Sequence, residues 1–519
     1  MKALDEQGRR QSGATARAFH EATKHSYRSV RRRGHFLDWD NKPHPFKVYE
    51  GLERVPLPTD LPELGVSALD AIAAVNVAPR AARPDLSALA RILVLGAGVR
   101  STRRLDHEVF HFRTYASAGA LYPVEAYVAC EDLPDLPAGV YHFEPATPAL
   151  VRLRAGDHRG WLARSSGWEP AVAAAPVVVA LTGIPWRTAW KYGERGYRHL
   201  FWDAGMVLAN VLGLAASAGL QTRVVLGFVD EDVEVLLGLD GVKEFPLCLV
   251  PLGSGQSAPE PDSTPRRLTF GAGPLSDREM VFEAITEAND AGRLSGPDEV
   301  GGWRESGTAS LAPSEVDREP PRSEPESTGG PQDPLETVIR RRGSARRFDR
   351  TPIPAGVLVD VLDHATRGVP TDYAPRGSRL IELYLIANNV DGLAQGAYAF
   401  RDGGFLGLAE GDYRREAGYL CLEQRLAADA AATVFFMADL ERVLDALGDR
   451  GYRAVQLEAG IVGGKLYLGA YAHRFGATGL TFYDDDVTEF FSPDAAGKSC
   501  MLVVAIGGSP RLKRRGSSR

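Results

Sequence analysis

Along most of the chain, apolar and polar positions fall into two alternating patterns. SALDAIAAVNV (67–77) and LSALARILVLGAG (86–98) place apolar residues at helical spacing, and the second ends on a glycine stop. Short runs of β-branched and aromatic residues then predict strands at 125–130, 139–145 and 175–184. WKYGERGYRHLFWDAGMVLANVLGLAASAGL (190–220) opens with a polar loop, Lys191-Tyr192-Gly193, and runs into a long helix of small apolar residues. GLQTRVVLGFV, a helix over DEDVEVLLGL and a strand over PLCLVPLG close the region. Helices interleaved with strands predict an α+β or α/β fold with a covered sheet.

From residue 334 the order repeats. A helix over PLETVIRRR leads through a loop to a second helix, AGVLVDVLDHATRG, stopped by Gly368. Glu382-Leu383-Tyr384-Leu385 mirrors Glu125-Ala126-Tyr127-Val128, and Gly396 to Phe400 mirrors Gly139 to Phe143, about 257 positions later. The long helix recurs as RGYRAVQLEAGIVGGKLYLGAYAHRFGATGL (450–480). Arg195, Gly196, Tyr197 and Arg198 match Arg450, Gly451, Tyr452 and Arg453, and Asp203-Ala204-Gly205 matches Glu458-Ala459-Gly460. This is a duplication at domain scale. Between the copies, SGQSAPEPDSTPRR and SGTASLAPSEVDREPPRSEPESTGGPQDP hold too few large apolar residues to offset chain entropy and predict a mobile linker. One amphipathic helix, SDREMVFEAITEAND, interrupts it, capped by Ser276 or Asp277. The expected organisation is an arm (1–64), domain 1 (65–254), a linker (255–333), domain 2 (334–510) and a basic tail (511–519).

Composition narrows this only a little. With 519 residues the chain exceeds one core, and 44% hydrophobic with 24% charged residues is an ordinary globular mixture. A net charge of −7 gives no general attraction to nucleic acid. The arm, HSYRSVRRRGHFLDWDNKPHPFKVY, has no clear period and predicts an extended segment over a domain surface. Arg28, Arg31, Arg32 and Arg33 within it fit a solvated face better than a nucleic-acid contact. Cys130, Cys248, Cys421 and Cys500 lack metal-site or disulfide spacing, so no metal is expected and the compartment is expected to be the reducing cytoplasm. No apolar h-region opens the chain and no apolar run reaches the ~20 residues of a membrane span.

The informative residues are those in which the halves differ. RRRGSARRF (340–348) has Arg342, Ser344 and Arg346 at alternate positions, on one side of an extended strip. Two arginine forks and a hydroxyl suit a phosphate dianion; a solvated basic patch is the alternative. The first half has LDAIAAVNVAP there, without arginine. The first half instead carries Ser117-Ala118-Gly119-Ala120-Leu121-Tyr122-Pro123, whose small residues let backbone amides approach a flat ring or phosphate. The second has Ala374 to Arg379, bulkier and charged. Lys191-Tyr192 can supply an acid/base pair with a lowered amine pKa, whereas Ala446-Leu447-Gly448 stands at the matching place. A single composite site at the domain interface accounts for all three differences, as in a two-fold dimer fused into one chain.

RRRGSARRF, SAGALYP, GVYHF, WKYGERGYR with its DAG helix, and GLQTRVVLGFVDED resemble the nitroreductase-like FMN flavoproteins, and more narrowly their SagB/ThcOx-type azoline dehydrogenases. The resemblance implies an α+β fold in two tandem domains forming an intrachain pseudo-dimer. It implies FMN held by Arg342, Ser344 and Arg346 of the second half and Ser117, Ala118 and Gly119 of the first. A Gly-rich turn, Gly476-Ala477-Thr478-Gly479, is a further flavin contact on the same ground. Lys191 and Tyr192 are the implied catalytic pair. The implied reaction oxidises a thiazoline or oxazoline to the azole, with a peptide or small heterocyclic substrate and a cyclodehydratase complex as partners. An NAD(P)H-dependent nitroreductase, or a flavin- or peptide-binding scaffold, are the alternatives.

Overall fold

The computed structural model describes residues 13–32, 37–75, 82–105, 108–261, 263–312, 330–375, 378–510 and 512. Arg33, most of the second Pro/Ser/Glu-rich stretch and the basic tail apart from Leu512 lie outside them. Each half contains one antiparallel six-stranded sheet. In the first the order is Arg54–Pro56, Ala149–Ala155, Gly139–Glu144, Val124–Cys130, Val177–Gly183, Phe245–Leu252. In the second it is Gly404–Glu410, Gly396–Arg401, Glu382–Ala387, Ala432–Ala438, Ser499–Gly507, Gly476–Leu480. The central strands are buried throughout, so their sequences read as continuous apolar runs. Antiparallel pairing with helices packed on the sheets makes the class α+β.

The two long helices, Gly196–Ser217 and Arg450–Ala472, pack on each other at the centre, and each also packs on its own sheet. Their small residues explain the approach. A Cβ on Gly205 would lie 2.4 Å from the Gly460 carbonyl carbon, and one on Gly460 would lie 2.5 Å from the Trp202 carbonyl oxygen. The helices therefore cross backbone to backbone, and the glycine of each acid-Ala-Gly step is the crossing point. By length and composition the stretch Pro185–Ser217 could cross a membrane, but 89% of its most apolar window is buried inside the protein.

The repeated Arg-Gly-Tyr-Arg steps lock the halves reciprocally. Asp484 of the second half accepts from Arg195 (2.9 Å) and Arg198 (2.7 Å) of the first. Asp230 of the first accepts from Arg450 (2.6 Å) and Arg453 (2.8 Å) of the second. All six side chains are buried. The duplication extends into segments read as arm and linker. His20 and Thr23 carbonyls accept from Arg198 and Arg195, just as Asn289 and Gly292 carbonyls accept from Arg453 and Arg450. His25 N–H caps Asp484 as Leu294 N–H caps Asp230.

Several expectations are corrected. The arm is not simply extended: Ala14–Ala22 is a helix whose Phe19 meets Tyr197 and Tyr452 edge-on, and Tyr27–Arg32 is another. The linker holds two helices rather than one, Glu283–Ala291 and Pro297–Ser310. The first begins well after Ser276 and Asp277, with Phe282 at its N-cap. After Gly98, where the pattern predicts no element, Val99–Leu105 and Glu108–Arg113 form a hairpin.

Candidate functional site

Lys191 and Tyr192 are the last residues of a helix, Pro185–Tyr192, and not part of a loop. The helix stops because Gly193 takes φ 56, ψ −144, a conformation that only glycine adopts without strain. The second half ends its Leu440–Leu447 helix the same way, with Gly448 at φ 60, ψ −156. The scaffold is thus duplicated even where the chemistry is not. Arg187, one turn before Lys191, anchors the helix. It is buried, pairs with Glu125 of the central strand and donates to the Tyr122 carbonyl (2.9 Å). His142 bonds the other Glu125 oxygen at 2.9 Å, and with Arg187 holds the carboxyl far below the usual range despite its burial.

The Ser117–Gly119 turn faces this helix end. Gly119 has φ 62, and a Cβ there would sit 2.9 Å from the Tyr192 hydroxyl and 3.2 Å from Lys191 Nζ. Glycine is required on both counts. The turn is held from below by Asp203, which accepts from the Ser117 hydroxyl and from Ala118 N–H (3.1 Å). Glu458 does the same for the second half, accepting from Leu380 N–H (2.6 Å) and the Tyr373 hydroxyl (3.3 Å). The acid of each acid-Ala-Gly step is therefore the support of its own half's turn. The sequence marked it only as a repeat.

Burial governs the charges. Lys191, half-buried, has its amine pKa lowered by desolvation and by the Arg346 guanidinium nearby. Tyr192 has its hydroxyl pKa raised by burial and by Asp203, so it stays protonated. Its ring stacks on His199, with centroids 4.2 Å apart and planes 14° from parallel. Neither ring nitrogen of His199 finds a partner among the described residues, and burial with neighbouring cations keeps the imidazole neutral. Nothing in the sequence marked this histidine.

Burial raises the Asp203 carboxyl to about 7, against the Ser117 and Ala118 hydrogen bonds that oppose the rise. The native state then holds a proton on Asp203 at pH values where the unfolded chain has released it. Stability from this group is complete below pH ~4 and is lost as pH climbs towards 7. Asp203→Asn cannot titrate, so the parent's advantage over the variant should shrink between pH 5 and 8 by on the order of 2 kcal/mol. Urea denaturation of both proteins at each pH measures it; a pH-independent difference would remove the raised carboxyl from the account.

The second half supplies the cations, though not as the alternation predicted. The Leu335–Arg341 helix ends before Arg342, so the extended strip begins only after it. Arg342 is buried and turns inward, donating to the Arg113 (3.0 Å) and Thr114 (3.2 Å) carbonyls of the first half. It clasps the domains together instead of facing solvent with Ser344 and Arg346, which are exposed. Ser344 and Arg346 line a cavity of about 230 Å³ together with Arg341, Arg347, Tyr471 and Ser509. Arg341 is tied to Asp333 (2.7 Å); Arg346 and Arg347 form no ion pair among the described residues.

The predicted Gly476–Gly479 turn is an edge strand, Gly476–Leu480, paired with Ser499–Gly507. Ala345 N–H donates to the Ala477 carbonyl (2.9 Å), and a Cβ on Gly476 would meet Ala345 Cβ at 3.2 Å and Ser509 Cβ at 2.9 Å. Gly476 therefore lies against the arginine segment. Thr478 is buried and exposed Gly479 donates to the Tyr467 hydroxyl; no hydrogen bond among the described residues joins either to Ser344, Arg346 or the 117–119 turn. The Ser117–Gly119 turn meets Lys191 and Tyr192, and Arg346 of the second half acts on the Lys191 amine across the domain seam; Ser344 shares a cavity with Arg346.

The nitroreductase family model matches residues 80–254 and again 339–508. The chain belongs to the nitroreductase family. This is a family of oxidoreductases, and the two matches span both long helices and both sheets except the edge strand Arg54–Pro56. "Putative nitroreductase MJ1384" of Methanocaldococcus jannaschii is 34% identical over 168 residues, 32% of this chain and 80% of the relative. The microcin B17-processing protein McbC of Escherichia coli is 31% identical over 140 residues, 26% of this chain and 52% of McbC, about half its length. The crystal structure of a "putative nitroreductase" from Anabaena variabilis matches 96% of this chain and 100% of its own, with TM-score 0.73 at 23% identity. That likeness establishes the tandem nitroreductase fold over nearly the whole molecule.

Proposed function

We propose that this chain is an FMN-dependent dehydrogenase that oxidises a thiazoline or oxazoline ring, carried on a ribosomally made peptide, to the azole. The observation that carries the reading is an asymmetry. Lys191 and Tyr192 meet the Gly119 turn within electrostatic reach of Arg346, whereas the duplicate helix ends in Ala446 and Leu447. A pair kept in one half only, on a scaffold kept in both, is retained for chemistry rather than for folding. McbC, named for processing microcin B17, supports a peptide substrate. A cyclodehydratase that forms the azoline is the matching partner.

The residues fit FMN on two counts. Arg346 and Arg347, without an ion pair among the described residues, gather with the Ser344 and Ser509 hydroxyls around one cavity, suited to a phosphate. Gly119 removes the side chain that would otherwise fill the space beside Lys191 and Tyr192. Those four residues would hold the phosphate end, and the Ser117–Gly119 backbone would lie along the ring system. Bound FMN supplies a two-electron acceptor for hydride, with molecular oxygen as reoxidant.

The proton falls to the chain. Aromatising an azoline takes a proton from one ring carbon and a hydride from its neighbour, and leaves a new double bond between them. With its pKa lowered, more of the Lys191 amine is neutral near physiological pH, and Nζ can accept that proton. Tyr192 keeps its hydroxyl proton and donates a hydrogen bond beside it, held in place by the His199 stack.

A synthetic thiazoline peptide, incubated in air with the flavin-loaded protein, should lose two hydrogen atoms per ring by mass spectrometry. Rapid flavin bleaching by NADPH with the thiazoline left intact would instead assign a nitroreductase-type reductase. A flavoprotein that does neither would be a binding scaffold. Arg346→Ala should weaken FMN binding by about 1.5–3 kcal/mol, the cost of losing a hydrogen bond to a charged group. Fluorescence titration of the apoprotein with FMN reads it; unchanged affinity would return Arg346 to a solvated patch.

A further inference from the structure

The arm places an aromatic and cationic strip beside the Lys191–Tyr192 helix end. Trp39 is 63% exposed, the most exposed large apolar side chain among the described residues. Its position is fixed all the same. Trp190 donates from Nε1 to the Asp38 carbonyl (2.9 Å), and its ring meets Trp39 edge-on at 5.2 Å. Asn41 exchanges two hydrogen bonds with the Arg278 backbone, and His44 N–H donates to the Leu275 carbonyl (2.7 Å). The neighbouring Leu37 packs into the same apolar cluster as Tyr192 and Leu121, two residues past Gly119. An indole so firmly anchored yet left in water is not a frayed end.

The strip continues away from the site. Lys42 Nζ lies 5.7 Å from the Trp39 ring centre and 5.3 Å from that of Phe110, so one ammonium bridges two rings. Phe110 sits on the hairpin strand Glu108–Arg113, whose only strand partner among the described residues is Val99–Leu105; its last residue, Arg113, is engaged by the Tyr122 hydroxyl and by Arg342. The hairpin leads directly into Thr114–Ser117 and so into the candidate site.

The duplicate half shows what a closed version looks like. There Trp303, on the linker helix, donates from Nε1 to the Leu447 carbonyl (3.0 Å), Ser306 donates to the Ala446 carbonyl (2.8 Å), and Trp303 is only 8% exposed. Arg304 ties the same helix to Asp372 (2.8 Å) and to the Gly227 carbonyl (2.7 Å). The helix end lacking Lys-Tyr is thus covered by its own chain. Among the described residues the end carrying Lys-Tyr is less enclosed: Lys191 and Tyr192 are part-exposed, with the exposed Trp39 standing beside Trp190.

We propose that Trp39, Lys42 and Phe110 form the track on which the substrate peptide lies, and that Trp39 stacks on a planar heterocycle of that peptide. This rests on the peptide-oxidation reading above. Five-membered azoline and azole rings are flat and polarisable, matched to an indole face, and a peptide backbone can pair along the hairpin strand before Arg113, where no second strand pairs among the described residues. Trp39 selects the substrate; it does not take part in the proton or hydride transfer.

The test uses the flavin-loaded full chain. With a thiazoline peptide, Trp39→Ala should raise KM roughly tenfold, the scale of one lost aromatic stack, with kcat changed less than about twofold. Trp39→Phe should restore most of the loss. Titration with a thiazole peptide, which needs no turnover, should quench tryptophan fluorescence in the parent and not in Trp39→Phe. An unchanged KM in Trp39→Ala, or a quench that persists in Trp39→Phe, overturns the track. If the thiazole peptide quenches Trp39 while no thiazoline is oxidised, the track stands and the catalytic reading falls.

Discussion

Replacing Asp484 with alanine should cost about 3–5 kcal/mol of stability, the usual result of removing one partner from a fully buried ion pair. Asp484 is the carboxylate shared by Arg195 and Arg198, and all three side chains are almost wholly excluded from solvent. The carbonyls of Thr23 and His20 would remain, but dipoles do not neutralise two desolvated guanidinium groups. The two arginines hold the Asp484 carboxyl well below the ordinary carboxylate range, overcoming its burial. Its contribution is therefore fully present above pH ~4 and lost as pH falls through the depressed value. The variant's deficit should be flat from pH 5 to 8 and shrink only in acid. Urea denaturation across that range tests both parts. A deficit below about 1 kcal/mol at pH 7 would mean that the interface tolerates the naked arginines. Asp230, facing Arg450 and Arg453, offers the same experiment on the symmetry-related side.

That ion-pair geometry also marks how far the sequence could be read. The Arg-Gly-Tyr-Arg repeat revealed the duplication, and local periodicity placed the central strands and both long helices. What the repeat is for was not legible. Each arginine pair reaches an aspartate in the other half, and no local pattern encodes a contact that depends on how two domains dock. The alternation of Arg342 with Ser344 and Arg346 misled for a related reason. The alternation rule assumes an extended strip, yet residue 342 caps a helix, and its side chain follows the carbonyls of Arg113 and Thr114 inward.

The linker helix Pro297–Ser310 shows the opposite limit. PDEVGGWRESGTAS has two adjacent glycines and little apolar periodicity, so propensity argues against it. Tertiary contacts made by Trp303, Arg304 and Ser306 decide the matter. The nearness of the 117–119 turn, the Lys191–Tyr192 helix end and Arg346 was legible because it rested on differences between aligned halves, which survive without knowledge of docking. His199 and Asp203 escaped notice as site residues because each acts through a neighbour, one through the Tyr192 ring and the other through the Ser117 turn.

Lys191→Ala should lower kcat for azoline oxidation by about 10²–10⁴-fold, the range spanned by a positioned general base. On the proposed reading the flavin spectrum should be unchanged, since the phosphate is assigned to the cavity lined by Ser344, Arg346 and Arg347, which Lys191 does not line. Lys191→Arg should not rescue, because a guanidinium keeps its proton at any pH the protein survives. The parent's kcat should rise with pH as the amine loses its proton and level off at a lower pH than an ordinary lysine would give, since burial and Arg346 both favour the neutral form. Tyr192→Phe should retain the stack on His199 and lose only the hydroxyl, so its kcat should fall less than that of Lys191→Ala while the pH profile keeps its shape. A Lys191→Ala protein that still oxidises within a few-fold of the parent would take the proton away from this residue. Loss of bound flavin in the same variant would make Lys191 a support for the turn rather than a base.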